Sequence, residues 1–219
     1  MGIEINLLEH YPRTKRKVLE RGASKTAKDI EIARRFGREF FDGDRRTGYG
    51  GFSYHPRFWE NVIPTFRDHF KLTDESRVLD VGCAKGFMMF DFQRIIPGIT
   101  VKGIDISPYA IENGLNKVRS HMSVANANAL PFENDSFDAV ISINTIHNLT
   151  KEECGKALQE IERVSRGKSF IMVDAFRTPE EEELMFHWNL TAQTILHVDE
   201  WIEFFKAVGY TGDFFWFTP

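Results

Sequence analysis

The sequence predicts an α/β fold: a doubly wound, mostly parallel sheet of six to seven strands, helices on both faces, and a helical extension at the N-terminus. Three observations carry that prediction. Short apolar runs near 77–82, 100–105, 121–126, 137–143, 168–174 and 210–217 have the length and residue content of buried strands, and helical patterns near 86–96, 108–119, 151–166 and 198–208 fall between most of them. The run Val78-Leu79-Asp80-Val81 leads directly into a glycine-bracketed turn, Gly82-Cys83-Ala84-Lys85-Gly86, where a helix begins. The second apolar run closes on Asp105, 18 residues past Phe87, where a carboxylate can accept hydrogen bonds from ribose hydroxyls.

In chain order, residues 1–23 form a polar lead-in that docking on the core would order. Ser24 is a candidate cap for a helix in which Ile30, Ala33, Phe36 or Gly37, and Phe40 recur at helical spacing. Residues 42–55 break the pattern. Pro56 can open a second helix through Trp59, Val62, Ile63 and Phe66. The strand–helix core starts at Arg77, with breaks or caps at Pro97-Gly98, Asn113-Gly114 and Arg166-Gly167. Two regions result: an extension with a lid loop over residues 1–70, and a core over 71–219. No internal repeat or low-complexity segment interrupts them.

A chain of 219 residues with 42% hydrophobic residues can build a sizeable core. No run approaches the roughly 18 apolar residues of a membrane span, and no signal-peptide stretch precedes Pro12, so no membrane partner is expected. Two cysteines, Cys83 and Cys154, are too few for a disulfide framework or a zinc site; a reduced, cytoplasmic setting and no metal are expected. Residues 1–57 carry 13 Lys/Arg against 8 Asp/Glu, and the remainder 15 against 24, so the net charge of −4 is a basic start on an acidic body. The run Lys15-Arg16-Lys17 is read as a solvated face ahead of an anion-attracting segment. With the basic excess this small, a nucleic-acid partner is not expected.

The turn discriminates between ligands. A dinucleotide site needs Gly-x-Gly-x-x-Gly, whose middle glycine lets the backbone approach a pyrophosphate. Here Ala84 holds the middle position, and Asp80 puts an acid where the pyrophosphate would come close. In a low-dielectric cleft that repulsion costs several kcal/mol. A cationic, phosphate-free ligand suits the site better, and S-adenosylmethionine carries a sulfonium and an ammonium and no phosphate.

Residues 78–87 resemble motif I of the class I S-adenosylmethionine-dependent methyltransferases, and Asp105 matches the acid that ends their second strand. A third block agrees: Asn126-Ala127-Asn128-Ala129-Leu130-Pro131-Phe132, then Phe137-Asp138-Ala139-Val140-Ile141-Ser142, where the family has Asp-Ala-x-x-Leu-Pro-Phe followed by Phe-Asp and a buried strand. The chain departs at Asn126, whose amide oxygen can still accept from the adenine amine. The resemblance implies a Rossmann-like core that binds S-adenosylmethionine through Asp80, Gly82, Cys83, Ala84, Gly86, Asp105, Ile106, Asn126, Ala127 and Asn144. The family usually ends with an antiparallel hairpin. This chain stops after the aromatic run Phe214-Phe215-Trp216-Phe217, so the last strand is missing or comes from elsewhere, and a homodimer covering that edge is one expectation.

Methyl transfer is an in-line displacement in which orientation supplies most of the rate; a base is needed only when the acceptor must lose a proton. His147, in the loop after the fourth strand, is the candidate base, and Asn144 the candidate for orienting the acceptor. Asp174 at the end of strand five and His187 in a possible cover are candidate substrate contacts, although a loop cap and a packed side chain explain them as well. Residues 42–55 hold Gly43, Gly48, Gly50 and Gly51 among Tyr49, Phe52 and Tyr54, the composition of a lid, and Arg45 and Arg46 can clamp a carboxylate or phosphate. This stretch through Trp59 resembles the N-terminal extension of small stand-alone methyltransferases found with polysaccharide-building enzymes. The expectation is methyl transfer to oxygen of a small polar, sugar-like or phosphorylated acceptor. A non-catalytic module that holds the methyl donor and a nicotinamide-dependent oxidoreductase are the alternatives.

Overall fold

A computed structural model describes residues 2–12, 18, 22 and 24–218; the Lys15–Lys17 run lies outside them. Seven strands form the sheet: β1 (Arg77–Val81), β2 (Thr100–Asp105), β3 (Met122–Val124), β4 (Ala139–Ile143), β5 (Ser169–Phe176), β6 (Leu196–His197) and β7 (Asp213–Phe217). Their order is β3-β2-β1-β4-β5, and both β6 and β7 pair with β5. Every pairing is parallel, with Leu79 opposite Lys102 on one side and Val140 on the other. The chain runs outward from β1 to β3, then crosses back to start β4 on the other flank of β1. The crevice at that reversal, at the carboxyl ends of β1 and β4, is where an open α/β sheet binds its ligands.

Strand alternation gives the sheet two buried faces. Val78, Val101, Ile141 and Phe170 pack with Phe92 on one face, and Leu7, Val62, Ile63 and Phe66 from the N-terminal extension join that same cluster. Leu79, Ile104, Val140 and Val173 pack with Leu158, Ile161, Trp201 and Phe205 on the other. These residues of the extension therefore share the core's apolar interior.

Eight helices accompany the sheet among the described residues: α1 (Ala27–Ala33), α2 (Arg38–Phe41), α3 (Ile63–Phe70), α4 (Phe87–Ile95), α5 (Pro108–Glu112), α6 (Lys151–Val164), α7 (Pro179–Trp188) and α8 (Val198–Val208). Two expected helices are cut short. Thr26, not Ser24, caps α1, with Asp29 completing a capping box. Phe36, at φ 48°, ends that helix before Phe40 can join it. The pattern at 108–119 stops at Glu112, because Leu115 N–H donates to Lys85 O and draws the chain back to the glycine turn. None of the helices is long and apolar enough to cross a membrane.

The C-terminal edge resolves one expectation. β7 runs parallel to β5, and no antiparallel strand pairs with it among the described residues. The missing edge partner comes from the chain's own start: Ile5 N–H donates to Phe214 O, Phe214 N–H to Ile3 O, and Ile3 N–H to Asp213 Oδ1. The aromatic edge that suggested a homodimer is thus covered in cis, and that argument for dimerisation falls.

Candidate active site

Left-handed backbone builds the turn between β1 and α4. Gly82, Ala84 and Gly86 have φ of 88°, 48° and 76°. A Cβ on Gly82 would sit 2.0 Å from Thr145 Oγ1, so glycine is what lets the loop after β4 approach. The amides of the turn are spent inside the protein. Those of Gly82 and Cys83 donate to Ile104 O, that of Gly86 to Cys83 O, and that of Ala84 to Asp105 Oδ2 at 2.8 Å. A phosphate-binding turn needs such amides pointing outward. Here the amides of Gly82, Cys83, Ala84 and Gly86 are turned inward and are not available to a pyrophosphate.

What the turn offers instead is a pair of buried acids. Asp80 and Asp105 are both almost fully enclosed. Burial, reinforced by the charge of Asp105, pushes the Asp80 carboxyl up to about 8. Burial also raises Asp105, against the opposing pull of the amides of Ser107 and Ala84. Those amides fix the carboxylate in orientation and leave each oxygen capacity for a further donor. Beside it, Ile106 is an apolar residue left 50% exposed.

The loop after β4 closes the crevice from the other side. Asn144 adopts φ 51°, unusual for a residue other than glycine, and its Oδ1 is buried with no hydrogen-bond partner among the described residues. His147 is only 3% exposed. Its Nδ1 accepts from Asp174 N–H at 2.9 Å, and its Nε2 stands 3.7 Å from Asp174 Oδ1. Burial lowers its pKa despite the nearby Asp174 charge.

Across the turn lies the N-terminal segment. Asp42 receives Lys85 Nζ at 2.6 and 2.8 Å, Tyr109 Oη at 2.7 Å and Phe52 N–H at 3.0 Å. Lys85 also donates to Phe52 O. Phe52 stacks on Phe87, the first residue of α4, with centroids 4.8 Å apart. Farther along, Tyr54 Oη donates to Asp91 Oδ1, and burial together with this bond pushes the phenol up to about 12. The segment 42–55 is held at both ends over the turn.

Residues 78–168 match the methyltransferase-domain family model. That stretch, with the sheet order and the motifs it holds, is similar to the class I S-adenosylmethionine-dependent methyltransferases. The chain is 30% identical over 133 residues to a tRNA (carboxymethyluridine(34)-5-O)-methyltransferase of Arabidopsis thaliana, covering 60% of this chain and 31% of that one. It is 29% identical to a demethylmenaquinone methyltransferase of Roseiflexus castenholzii, over 51% of this chain and 48% of that one. The chain spans about a third to a half of the length of such curated relatives. Among solved structures, the [4+2]-cyclase SpnF superposes with TM-score 0.55 at 21% identity (68% of this chain, 56% of that one). The YcgJ protein from Bacillus superposes with TM-score 0.54 at 21% identity (67% and 66%). These two likenesses are of fold.

The crevice fits S-adenosylmethionine, the donor of such enzymes: buried acids for a cation and hydroxyls, a left-handed turn with four of its amides turned inward, and an orphaned amide oxygen on Asn144. Asp80, Gly82, Gly86, Asp105, Ile106, Ala127 and Asn144 line the ends of β1, β2 and β4 or the loops beside them. Asn126 is there too, but its Oδ1 already accepts from Asn128 N–H at 3.2 Å, so one lone pair remains for an adenine amine.

Several expected contacts fall elsewhere. Cys83 points inward against Gly103, and its amide is spent on Ile104 O, so its side chain packs the turn. His147 does not have the setting of a base, because its basic lone pair already takes the Asp174 amide. Tyr54 is an anchor to α4. Arg46 is tied to Asp44 and Arg45 to Tyr49 O on the exposed side of the lid, where Tyr49 itself packs on Phe40 and Phe52. His187 sits against Gly22 and near Glu183. Sequence reasoning passed over Asp42, Lys85 and Tyr109. A lone lysine inside a glycine turn was the available signal, since a cation there must find an acid once the site closes.

Proposed function

We propose that this methyltransferase moves the methyl group of S-adenosylmethionine to an oxygen of a small polar, sugar-like or phosphorylated acceptor. The observation that carries this reading is the Asp42–Lys85 ion pair, which roofs the donor turn with the chain's own N-terminal segment. A site covered in this way excludes water and admits a small molecule more readily than a folded macromolecule. The acidic balance of residues 58–219 also favours a small molecule over the tRNA acted on by some relatives. The donor supplies an electrophilic methyl group. Asp80 and Asp105 hold its charge and its hydroxyls, and Asn144 offers an amide oxygen.

Oxygen is favoured by the His147–Asp174 pair at the carboxyl ends of β4 and β5. Neutral His147 turns its Nε2–H toward the Asp174 carboxylate, and this polar pair can take up a hydroxyl proton through the acid. The test is incubation with methyl-labelled donor and separate pools of sugar phosphates, nucleotide sugars and tRNA, followed by mass spectrometry. Label in the small-molecule pools is the expected result, and label only in tRNA would overturn the reading. Donor binding with no labelled product in any pool would point to a non-catalytic module. Tight binding of NAD in place of the donor would point to an oxidoreductase.

A further inference from the structure

A cavity of about 400 Å³ lies beside the crevice, lined by Arg34, Phe186, Ala192, Gln193 and Ile195. Its floor is fastened to the loop after β4. The amides of Gln193 and Thr194 donate to His147 O at 3.0 and 2.9 Å, and Gln193 Nε2 donates to Asn148 O at 2.8 Å. Through Thr145 that same loop packs against Gly82, so the cavity stands one loop away from the donor turn.

The opposite wall is Arg34, the C-cap of α1, whose Nη2 donates to Ala192 O at 3.3 Å. Its neighbours on the extension are neutralised: Arg35 by Glu31, Arg38 by Glu39 and Arg46 by Asp44. Arg34 has no carboxylate partner among the described residues, and no acid lines the cavity. A guanidinium with most of its N–H fork free matches the two oxygens of a carboxylate or phosphate. Phe186 adds an exposed ring against which a flat apolar body can lie. The volume suits a small metabolite.

We infer that this cavity recognises the acceptor, and that Arg34, with Phe186 and Gln193, selects a small molecule bearing a carboxylate or phosphate on an apolar body. The inference rests on the methyl-transfer reading above and deepens it by naming the acceptor's charge. Arg34, not the Arg45–Arg46 pair of the lid, is then the residue that reads the anion.

The test uses the full chain saturated with S-adenosylhomocysteine and titrated calorimetrically with 4-hydroxybenzoate, phenyl phosphate and the neutral 4-hydroxybenzamide. At least one anion should bind about tenfold more tightly than the amide, as a charge-assisted fork requires, and the ranking of the two anions tells carboxylate from phosphate. Arg34→Ala should erase the preference and Arg34→Lys restore part of it, with nucleoside affinity unchanged in both. Equal binding of the amide, no saturable binding of either anion, or an unchanged preference in Arg34→Ala would overturn the inference alone. Failure of the unsubstituted chain to bind S-adenosylhomocysteine would overturn the donor reading, and the inference with it.

Discussion

Lys85 and Asp42 bridge 43 residues of sequence with two contacts of 2.6 and 2.8 Å, joining the glycine turn to the segment that covers it. Lys85 is 8% exposed, so its ammonium meets that carboxylate largely out of contact with water. Burial alone would raise the Asp42 carboxyl, but hydrogen bonds from Lys85, Tyr109 and the Phe52 amide outweigh it and hold it low. The stability from this group is complete above the ordinary carboxylate range and is lost as pH falls through the lowered folded value.

Asp42→Asn should therefore loosen the cover at neutral pH. Removing one partner of an enclosed ion pair costs about 3 kcal/mol. The expected readouts are faster amide exchange over residues 42–55 and a donor affinity about tenfold weaker by calorimetry. Unchanged exchange across that segment would refute the latch.

Asp80 makes the donor site pH-dependent. Its folded carboxyl titrates near 8, well above its unfolded value near 4, so the folded protein binds the extra proton between those limits. Stability of the ligand-free chain should fall as pH rises through that window, and Asp80→Asn should flatten the decline. A cationic donor favours the ionised acid, so binding near pH 7 should release a proton. Calorimetry in buffers of different ionisation enthalpy measures that release, and a value of zero would contradict the assignment.

His147 holds the loop after β4 in place. Burial lowers its pKa, so the unfolded chain takes up a proton below the ordinary value of 6.5 that the folded chain refuses. Stability should drop as pH falls below that point. His147→Ala strands the Asp174 amide and opens a cavity, costing about 3 kcal/mol. Thermal melts across pH 5–8 report both effects. A substitution that abolished turnover while leaving melting unchanged would return His147 to the role of base.

Ile5→Pro removes the N–H that donates to Phe214 O and so uncovers the edge of β7. The expected outcome is a lower melting temperature together with concentration-dependent association by light scattering. A variant that stayed in the parent's association state at every concentration would show that the edge needs no cover.

The parallel core was legible because its strands are continuous apolar runs and its turn has a defined chemistry. α6 and α8 were placed within two residues, since each has a polar cap before a regular apolar stripe. No helical stripe marks α7, because Met185 is its one buried residue. Lys85 was visible as a residue but not as half of a pair, and Arg34 looked like any exposed helix charge. Their meaning comes from which loops meet over the crevice, and local pattern does not encode that.

The bond from Ile3 to Asp213 joins positions 210 apart in the chain. Closing so long a loop earns no contact until residue 213 has been made, and long-range pairings of this kind set the pace of folding. During synthesis Ile3 and Ile5 must wait beside an unfinished sheet, and the last register to zip is the one they make with β7.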